Sequence, residues 1–180
     1  MINKLYEIDI SISQKLLLDE KQKILRIFAS LFAHSGDSWF ILPALFIIWL
    51  ITDGTTHRYS ALFAGAVVVQ AILVILLKQV IKRRRPEGRW GSVYRNSDPH
   101  SFPSGHAVRV AMMAVIAWGL DLSVLKWLLT VWVPLVSFSR IMLGVHYFFD
   151  VTAGWILGII LAIIVLLTQN YFNQLLPFVF

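Results

Sequence analysis

The long apolar runs of the chain place the strongest limit on its fold. Between Ser60 and Leu77, Gln70 is the only strongly polar side chain, and the run ends at Lys78. A helix that crosses the hydrocarbon core of a bilayer needs about 20 mostly apolar residues. Together with this run, four others predict membrane-spanning helices: 39–52, 104–120, 124–143 and 147–168.

The composition supports the same class of protein. Hydrophobic residues make up 58% of the chain and charged residues 14%, whereas soluble domains are about 45–50% apolar and about 25% charged. The high content of Leu, Ile, Val and Phe excludes intrinsic disorder. The chain has no cysteine, which excludes a disulfide scaffold, thiol catalysis and thiolate metal sites.

The first 35 residues are more polar than these runs. Five charged side chains lie between Asp19 and Arg26, among Leu, Ile and Phe. This pattern favours amphipathic helices at the membrane interface; a degenerate short span from Ile24 to Phe32 is the alternative. We therefore expect an all-α integral membrane protein, a compact bundle of five to six transmembrane helices preceded by an amphipathic interfacial helix. Its predicted segments are an interfacial region 1–35, a transmembrane domain 36–172 and a tail 173–180.

One long connection, residues 82–102, holds much of the net charge of +6. Residues 82–85 are all Lys or Arg, and Arg89 and Arg95 follow. Such a loop fits a determinant of topology, a stripe that binds anionic lipid, or a site for a phosphate-bearing substrate. Nucleic-acid binding is excluded because the basic residues lie against membrane spans.

Counting spans brings distant polar residues to one face of the bundle. Ionisable side chains inside a membrane are costly and often functional, although a lone Arg near the end of a span can extend to the interface. Two His, an Asp and several cations at one depth favour a functional site. The residues that the count brings together are Lys78, Arg85, Ser104, His106, Arg140, His146 and Asp150.

His146 and Asp150 are four positions apart and would share one face of a helix. A carboxylate bonded to one imidazole nitrogen fixes the tautomer and leaves the other nitrogen as base or nucleophile. A self-satisfied structural pair is the alternative.

The sequence Pro103-Ser104-Gly105-His106 is typical of a helix start that binds an anion, with His106 beside the anion as a proton donor. Lys78 and Arg85 would face the same way if the helix continues for two turns. With Arg140, they would surround one phosphoryl group. Because no acidic cluster suited to Mg²⁺ or Ca²⁺ is evident, we expect neither a metal nor a cofactor.

The order and spacing of these residues resemble a known three-part signature. Lys78 is followed after six residues by Arg85-Pro86, then by Pro103-Ser104-Gly105-His106, and then by Ser139-Arg140 with His146 and Asp150. The motifs, at 78–86, 103–106 and 139–150, resemble those of the type 2 phosphatidic acid phosphatase superfamily. That superfamily also includes vanadium haloperoxidases, a reading that the membrane spans argue against.

The resemblance implies a role for each matching residue. His146 would attack phosphorus and form a phosphohistidine, Asp150 would orient it, and His106 would protonate the leaving group. No metal would be needed. Arg109 lies outside the signature, and we assign it to the substrate headgroup or to a second phosphate. The implied phosphate-binding residues are Lys78, Arg85, Ser104, Gly105 and Arg140.

By this resemblance the chain is a membrane-embedded phosphatase that acts on a lipid phosphomonoester or pyrophosphate. The candidate substrates are phosphatidic acid, phosphatidylglycerol phosphate, polyprenyl pyrophosphate and lipid A phosphates. A lipid phosphotransferase is the alternative enzyme, and a small transporter is the non-enzymatic one. The expected partners are the lipid phosphate and membrane lipids; the sequence carries no indication of oligomeric state. Relatives suggest a bacterial inner membrane with the site facing the periplasm. They usually have six spans with the first motif after the third, whereas here it follows the second strong span.

Overall fold

The described part of the chain is helical. The structure is a computed structural model that describes residues 2–87 and 98–175. Within these residues the only β-type pairing is a single antiparallel bridge between Arg84 and His100. The described ranges contain seven helices: α1 Ile2–Leu16, α2 Lys23–Ser35, α3 Ser38–Ile51, α4 Gly54–Ile81, α5 Gly105–Gly119, α6 Ser123–Met142 and α7 Phe148–Leu175.

The predicted apolar runs all lie in helices. By length and hydropathy, α4, α6 and α7 qualify as membrane spans, and α2 and α3 qualify together as one span bent by 49°. Helix α5 is apolar but has only 15 residues. The prediction of an all-helical integral membrane protein is confirmed in this coarser form. The stretch 24–32, considered above as a short span, forms part of α2.

Helix α5 is the most enclosed element of the bundle, with nearly every residue from Ala107 to Ala117 buried. It packs against α7 through a row of small residues, Gly154, Gly158 and Ala162, spaced four apart. A methyl group placed on Gly158 would overlap the backbone carbonyl of Val108. Small residues let two helix backbones approach closely where no hydrophobic force drives helices together in lipid.

Four helix ends meet at the same end of the bundle: the last turns of α4 and α6, and the first turns of α5 and α7. The extended segment after α4 is tied to the segment before α5 by the bond from the Ser101 amide to the Arg83 carbonyl, at 2.8 Å. The start of α5 is tied to α7 by the bond from the Ser104 amide to the Asp150 carbonyl, at 3.0 Å. These contacts hold the three motifs together.

We expect Gly158→Ala to destabilise the protein, because its new methyl group would push α5 away from α7. Overpacking of this kind costs about 1–3 kcal/mol. The matched control is Gly65→Ala on α4, where nothing lies within 4 Å of the added carbon. Thermal unfolding in detergent checks the prediction: a lower midpoint is expected for Gly158→Ala alone, and equal midpoints for both variants would contradict it.

Candidate active site

A cavity of about 740 Å³ lies where the four helix ends meet. Seven of the predicted site residues line it, and they come from four separate parts of the chain. Ser104 and Asp150 do not line it but are fully buried beside it. The lining residues among the predicted set are Lys78, Arg85, Gly105, His106, Arg109, Arg140 and His146.

Lys78 and Arg85 meet at the cavity, although the helix between them does not continue. Helix α4 ends at Ile81, and Lys82 adopts the left-handed conformation with φ 52°. Arg85 precedes Pro86, and a residue before proline avoids helical backbone. In the extended stretch that follows, alternate side chains point to opposite sides, so Arg83 and Arg85 turn inward while Arg84 is exposed. The helix therefore does not continue to Arg85, and the two side chains reach the cavity by another path.

The Arg85 guanidinium is fixed by contacts on several sides. Its Nη1 donates to the Val145 carbonyl at 2.9 Å and lies 3.2 Å from His146 Nε2. Its Nε donates to the Asp98 carbonyl at 2.7 Å, and its Nη2 donates to the Asp98 carboxylate at 2.7 Å. The planar fork of arginine makes such divergent contacts possible. The first motif is thereby joined directly to the third.

A turn at the end of α6 places His146. Gly144 has φ 68°, a conformation that glycine adopts without steric cost. The Val145 amide bonds to the Arg140 carbonyl at 3.0 Å, and the Gly144 amide bonds to the Ile141 carbonyl at 2.8 Å. This pair of bonds is a Schellman helix end. It reverses the chain, so that His146 returns to the same cavity as Arg140.

His146 lies just before α7, and Asp150 lies in the first turn of that helix. The Nδ1 atom of His146 is 3.4 Å from Asp150 Oδ2, close but without hydrogen-bond geometry. Oδ2 accepts the Tyr147 amide at 2.9 Å. The Arg85 guanidinium can only donate hydrogen bonds, so its contact requires a lone pair on His146 Nε2. The ring proton is therefore on Nδ1, which faces the Asp150 carboxylate.

Burial lowers the pKa of the His146 imidazole well below its usual value, and Arg85, Arg140 and Lys78 lower it further. The imidazole is therefore neutral at neutral pH. A neutral ring with an unprotonated Nε2 beside a cationic cavity is chemically a nucleophile or a base.

Asp98 is a cavity residue that sequence reasoning missed. Its Oδ2 accepts from both Lys78 Nζ and Arg85 Nη2. Among the described residues that line the cavity, it is the only acidic one. The cations predicted to hold a phosphate thus hold a carboxylate here. The Asp98-Pro99 dipeptide gave no signal for this role, because it lies in the loop and belongs to none of the three motifs.

Asp37 is a second residue that the sequence did not indicate. It lies between α2 and α3, where its Oδ1 is 2.5 Å from His106 Nε2 and its Oδ2 is 3.0 Å from His34 Nδ1. A carboxylate bonded to one imidazole nitrogen fixes the orientation of the ring. Asp37 therefore orients His106, the residue that the sequence predicts as proton donor. The two residues are 69 positions apart, so only the fold brings them together.

Arg109 lies one helical turn beyond His106, at the inner part of the cavity. It is 6% exposed, and its guanidinium donates to the Gly36 carbonyl. Its Nε has no hydrogen-bond partner among the described residues. Part of its donor capacity is therefore available to a bound anion.

The cavity as a whole is strongly cationic. Five Lys or Arg residues line it, against the single carboxylate of Asp98. In the described ranges, no group of three or more His, Asp or Glu is arranged to hold a metal ion. Such a donor set is suited to a polyanion rather than to a bare cation. The five are Lys78, Lys82, Arg85, Arg109 and Arg140.

Fold and cavity together define a helical membrane protein with a buried, histidine-containing anion site. The chain belongs to the PAP2 superfamily, whose sequence model matches residues 59–174. The resemblance described from the three motifs is confirmed by this match.

Relatives of known activity carry phosphatase names. The decaprenylphosphoryl-5-phosphoribose phosphatase of Mycobacterium tuberculosis is 37% identical over 133 residues, covering 70% of each chain. The undecaprenyl-diphosphatase of Sulfolobus acidocaldarius is 32% identical over 126 residues, covering 67% of this chain and 58% of that relative. These relatives support a lipid phosphate hydrolase.

Two solved structures resemble this fold. The PAP2-type phosphatidylglycerolphosphate phosphatase of Bacillus subtilis superposes with a TM-score of 0.76 at 28% identity, over 96% of this chain and 87% of that one. Aquifex aeolicus LpxE superposes with a TM-score of 0.66 at 25% identity, over 87% and 93%. Both similarities extend beyond the motif region, so the likeness includes the arrangement of helices.

We expect Arg85→Lys to weaken binding of inorganic phosphate by about tenfold, because one ammonium replaces a fork of charge-assisted hydrogen bonds. Arg84→Lys is the matched control, since Arg84 is exposed next to it. Calorimetric titration of the purified protein with phosphate provides the measurement. Equal affinities for the two variants would rule out the assignment of Arg85 to phosphate.

Proposed function

We propose that this protein is a membrane-embedded phosphatase that hydrolyses a lipid phosphomonoester or diphosphate through a phosphohistidine. One observation carries the proposal: the neutral Nε2 of His146 lies 3.2 Å from Arg85 Nη1, in a cavity lined by cations of the first and third motifs and by Arg109. Cations aimed at a phosphoryl group stabilise the charge that builds up on its oxygens during transfer.

In the first step, His146 Nε2 attacks phosphorus, and the bond from phosphorus to the lipid oxygen breaks. Lys78, Arg85 and Arg140 hold the phosphoryl oxygens, with the Ser104 hydroxyl and the Gly105 amide at the start of α5. His106, held by Asp37, gives its proton to the leaving oxygen. Asp150 holds Nδ1–H and stabilises the positive charge that the ring gains.

In the second step, water attacks the phosphohistidine, and the nitrogen–phosphorus bond breaks. The neutral His106 takes a proton from the attacking water and returns to its starting state. Inorganic phosphate leaves, and His146 regains its lone pair. The cycle uses only side chains of this protein, so we expect it to be independent of divalent metal.

The substrate class follows from the depth of the site. A lipid whose tail stays in the bilayer would present its phosphate to a cavity between helix ends. The named relatives act on decaprenylphosphoryl-5-phosphoribose, undecaprenyl diphosphate and phosphatidylglycerolphosphate. We extend the same class, phosphatidic acid and lipid A phosphates included, to this chain.

We also propose its arrangement in the membrane. The bent pair α2–α3 with α4, α5, α6 and α7 would give five spans, with α1 lying at the interface. The active-site segments 78–86, 103–106 and 139–150 would then lie on one face. The transmembrane domain, expected from the sequence over 36–172 after an interfacial segment 1–35, would then begin earlier, at α2. A bacterial inner membrane, with this face toward the periplasm, stays a prediction.

Phosphate release from a panel of lipid phosphates by purified protein in detergent tests the activity. We expect turnover by wild type, with and without EDTA, and none by His146→Ala. His57→Ala is the control, because His57 binds backbone carbonyls at the opposite end of α4. Activity retained in His146→Ala, or lost in EDTA and restored by Mg²⁺, would contradict the mechanism. A phosphorylated acceptor formed from an added alcohol would indicate a phosphotransferase.

Arg109 gives a test of headgroup choice. We propose that it binds the part of the headgroup beyond the phosphate that is attacked, such as the second phosphate of a diphosphate. A hydrogen bond to a charged group is worth about 1.5–3 kcal/mol. We therefore expect Arg109→Gln to lower kcat/KM for a polyprenyl diphosphate at least tenfold more than for the monophosphate. An equal loss on both substrates would exclude this role.

A further inference from the structure

A buried bridge lies behind the His146–Asp150 pair, on the side away from the cavity. The Arg83 guanidinium donates from Nη1 to Asp150 Oδ1 at 2.7 Å and from Nη2 to Asp9 Oδ2 at 2.5 Å. Both carboxylate side chains are fully buried, and that of Arg83 is 15% exposed. One arginine thus joins the N-terminal helix α1 to the carboxylate that faces His146.

The rings of Tyr6 and Tyr147 enclose this arginine. The guanidinium carbon lies 4.2 Å from the Tyr147 ring centre and 5.5 Å from that of Tyr6. Burial alone would lower the pKa of the Arg83 guanidinium, but Asp150 and Asp9 raise it above its ordinary value. The bridge therefore stays fully charged, with its guanidinium held between two carboxylates and packed against two tyrosine rings.

Helix α1 also completes the start of α7. The first amides of a helix have no partner within that helix. Here the Phe149 amide donates to Asp9 Oδ1 at 2.9 Å, and the Phe148 amide donates to the Ser13 hydroxyl at 2.9 Å. A distant helix thus provides the cap that the local sequence lacks. The negative charge of Asp9 also suits the positive end of the α7 dipole.

These contacts divide the two oxygens of Asp150 between two tasks. Oδ1 is anchored by Arg83, while Oδ2 accepts the Tyr147 amide and faces His146 Nδ1. If the anchor on Oδ1 were lost, the Tyr147 amide would still hold Oδ2, but no ion pair would fix the tilt of the carboxylate against the imidazole. The orientation of His146 therefore depends on Arg83, a residue that does not line the cavity.

We infer that Asp9 and Arg83 are positioning residues, through which the N-terminal helix α1 fixes the Asp150–His146 pair for attack on phosphorus. Asp9 lies outside residues 59–174, the part of the chain that the superfamily model matches. The inference rests on the proposed phosphatase activity. It adds to that activity a site element supplied by a segment 74 positions before Arg83.

A purely structural role, in which α1 only covers the end of α7, is the competing explanation. A variant of Ser13 distinguishes the positioning role from the purely structural one. It lies one turn beyond Asp9 on α1 and bonds to an α7 amide, but it does not contact Arg83. Ser13→Ala would weaken the docking of α1 and leave the bridge intact, whereas Asp9→Asn would remove the ion pair and keep an oxygen for the Phe149 amide.

The experiment measures kcat, KM and the thermal midpoint of full-length protein in detergent for Asp9→Asn, Arg83→Lys, the double variant and Ser13→Ala. Misplacing a reacting group by about 1 Å costs up to about 100-fold in rate. We expect each single variant of the bridge to lose about 10- to 100-fold in kcat with KM little changed. The double variant should lose no more than the worse single one, because both changes break the same link.

Ser13→Ala should keep wild-type kcat even where its midpoint falls. Three outcomes would each overturn the inference. The first is an equal loss of kcat in Ser13→Ala and Asp9→Asn, and the second is wild-type kcat in Asp9→Asn. The third is a loss in the double variant equal to the product of the two single losses. If Asp9→Asn does not fold, the comparison of kcat between Arg83→Lys and the exposed control Arg84→Lys tests the inference by the same criteria. A wild-type protein without activity on any lipid phosphate would refute the proposed function instead, so the two failures are distinguishable.

Discussion

Positive charges packed among apolar helices need opposite charges close by, because water is not there to screen them. This requirement organises the site end of the bundle. Arg83 is held between Asp9 and Asp150. Lys78 and Arg85 both pair with Asp98. Asp37 pairs with His106. Asp9, Asp37 and Asp150 pair with groups from other segments, and Asp98 joins Arg85 of its own loop to Lys78 of α4. The ion pairs therefore fix how the helix ends meet as much as they neutralise charge.

The depth of the site follows from the length of one helix. With 15 residues, α5 is about 22 Å long at 1.5 Å per residue, less than the roughly 30 Å of a hydrocarbon core. The cavity lies where this short helix begins. Close packing of α5 on Gly154 and Gly158 of α7 fixes the position of that beginning. Small residues in the middle of the bundle thus set the height at which Gly105 and His106 meet a phosphate.

Much of this architecture could be predicted from the sequence, because apolar runs and motif spacing are local signals. The five runs and the meeting of Lys78, Arg140 and His146 belong to this class. The roles of Asp9, Asp37 and Asp98 do not, since each depends on a contact between segments that share no sequence pattern. A helix that continued from Lys78 to Arg85 was only one possible way to bring these two residues together, and the left-handed conformation of Lys82 ends the helix before Arg85.

Asp98 already forms ion pairs with Lys78 and Arg85, so an anionic ligand that binds these two cations would exchange with the Asp98 carboxylate. In the proposed mechanism, an incoming phosphate would displace this resident counter-ion or share its two cations, and its free energy of binding would be reduced by the cost of breaking the Asp98 contacts. The same competition acts on the inorganic phosphate left after turnover. A carboxylate tethered at the mouth of the cavity can return as that phosphate departs, so a site cationic enough for catalysis need not retain its product.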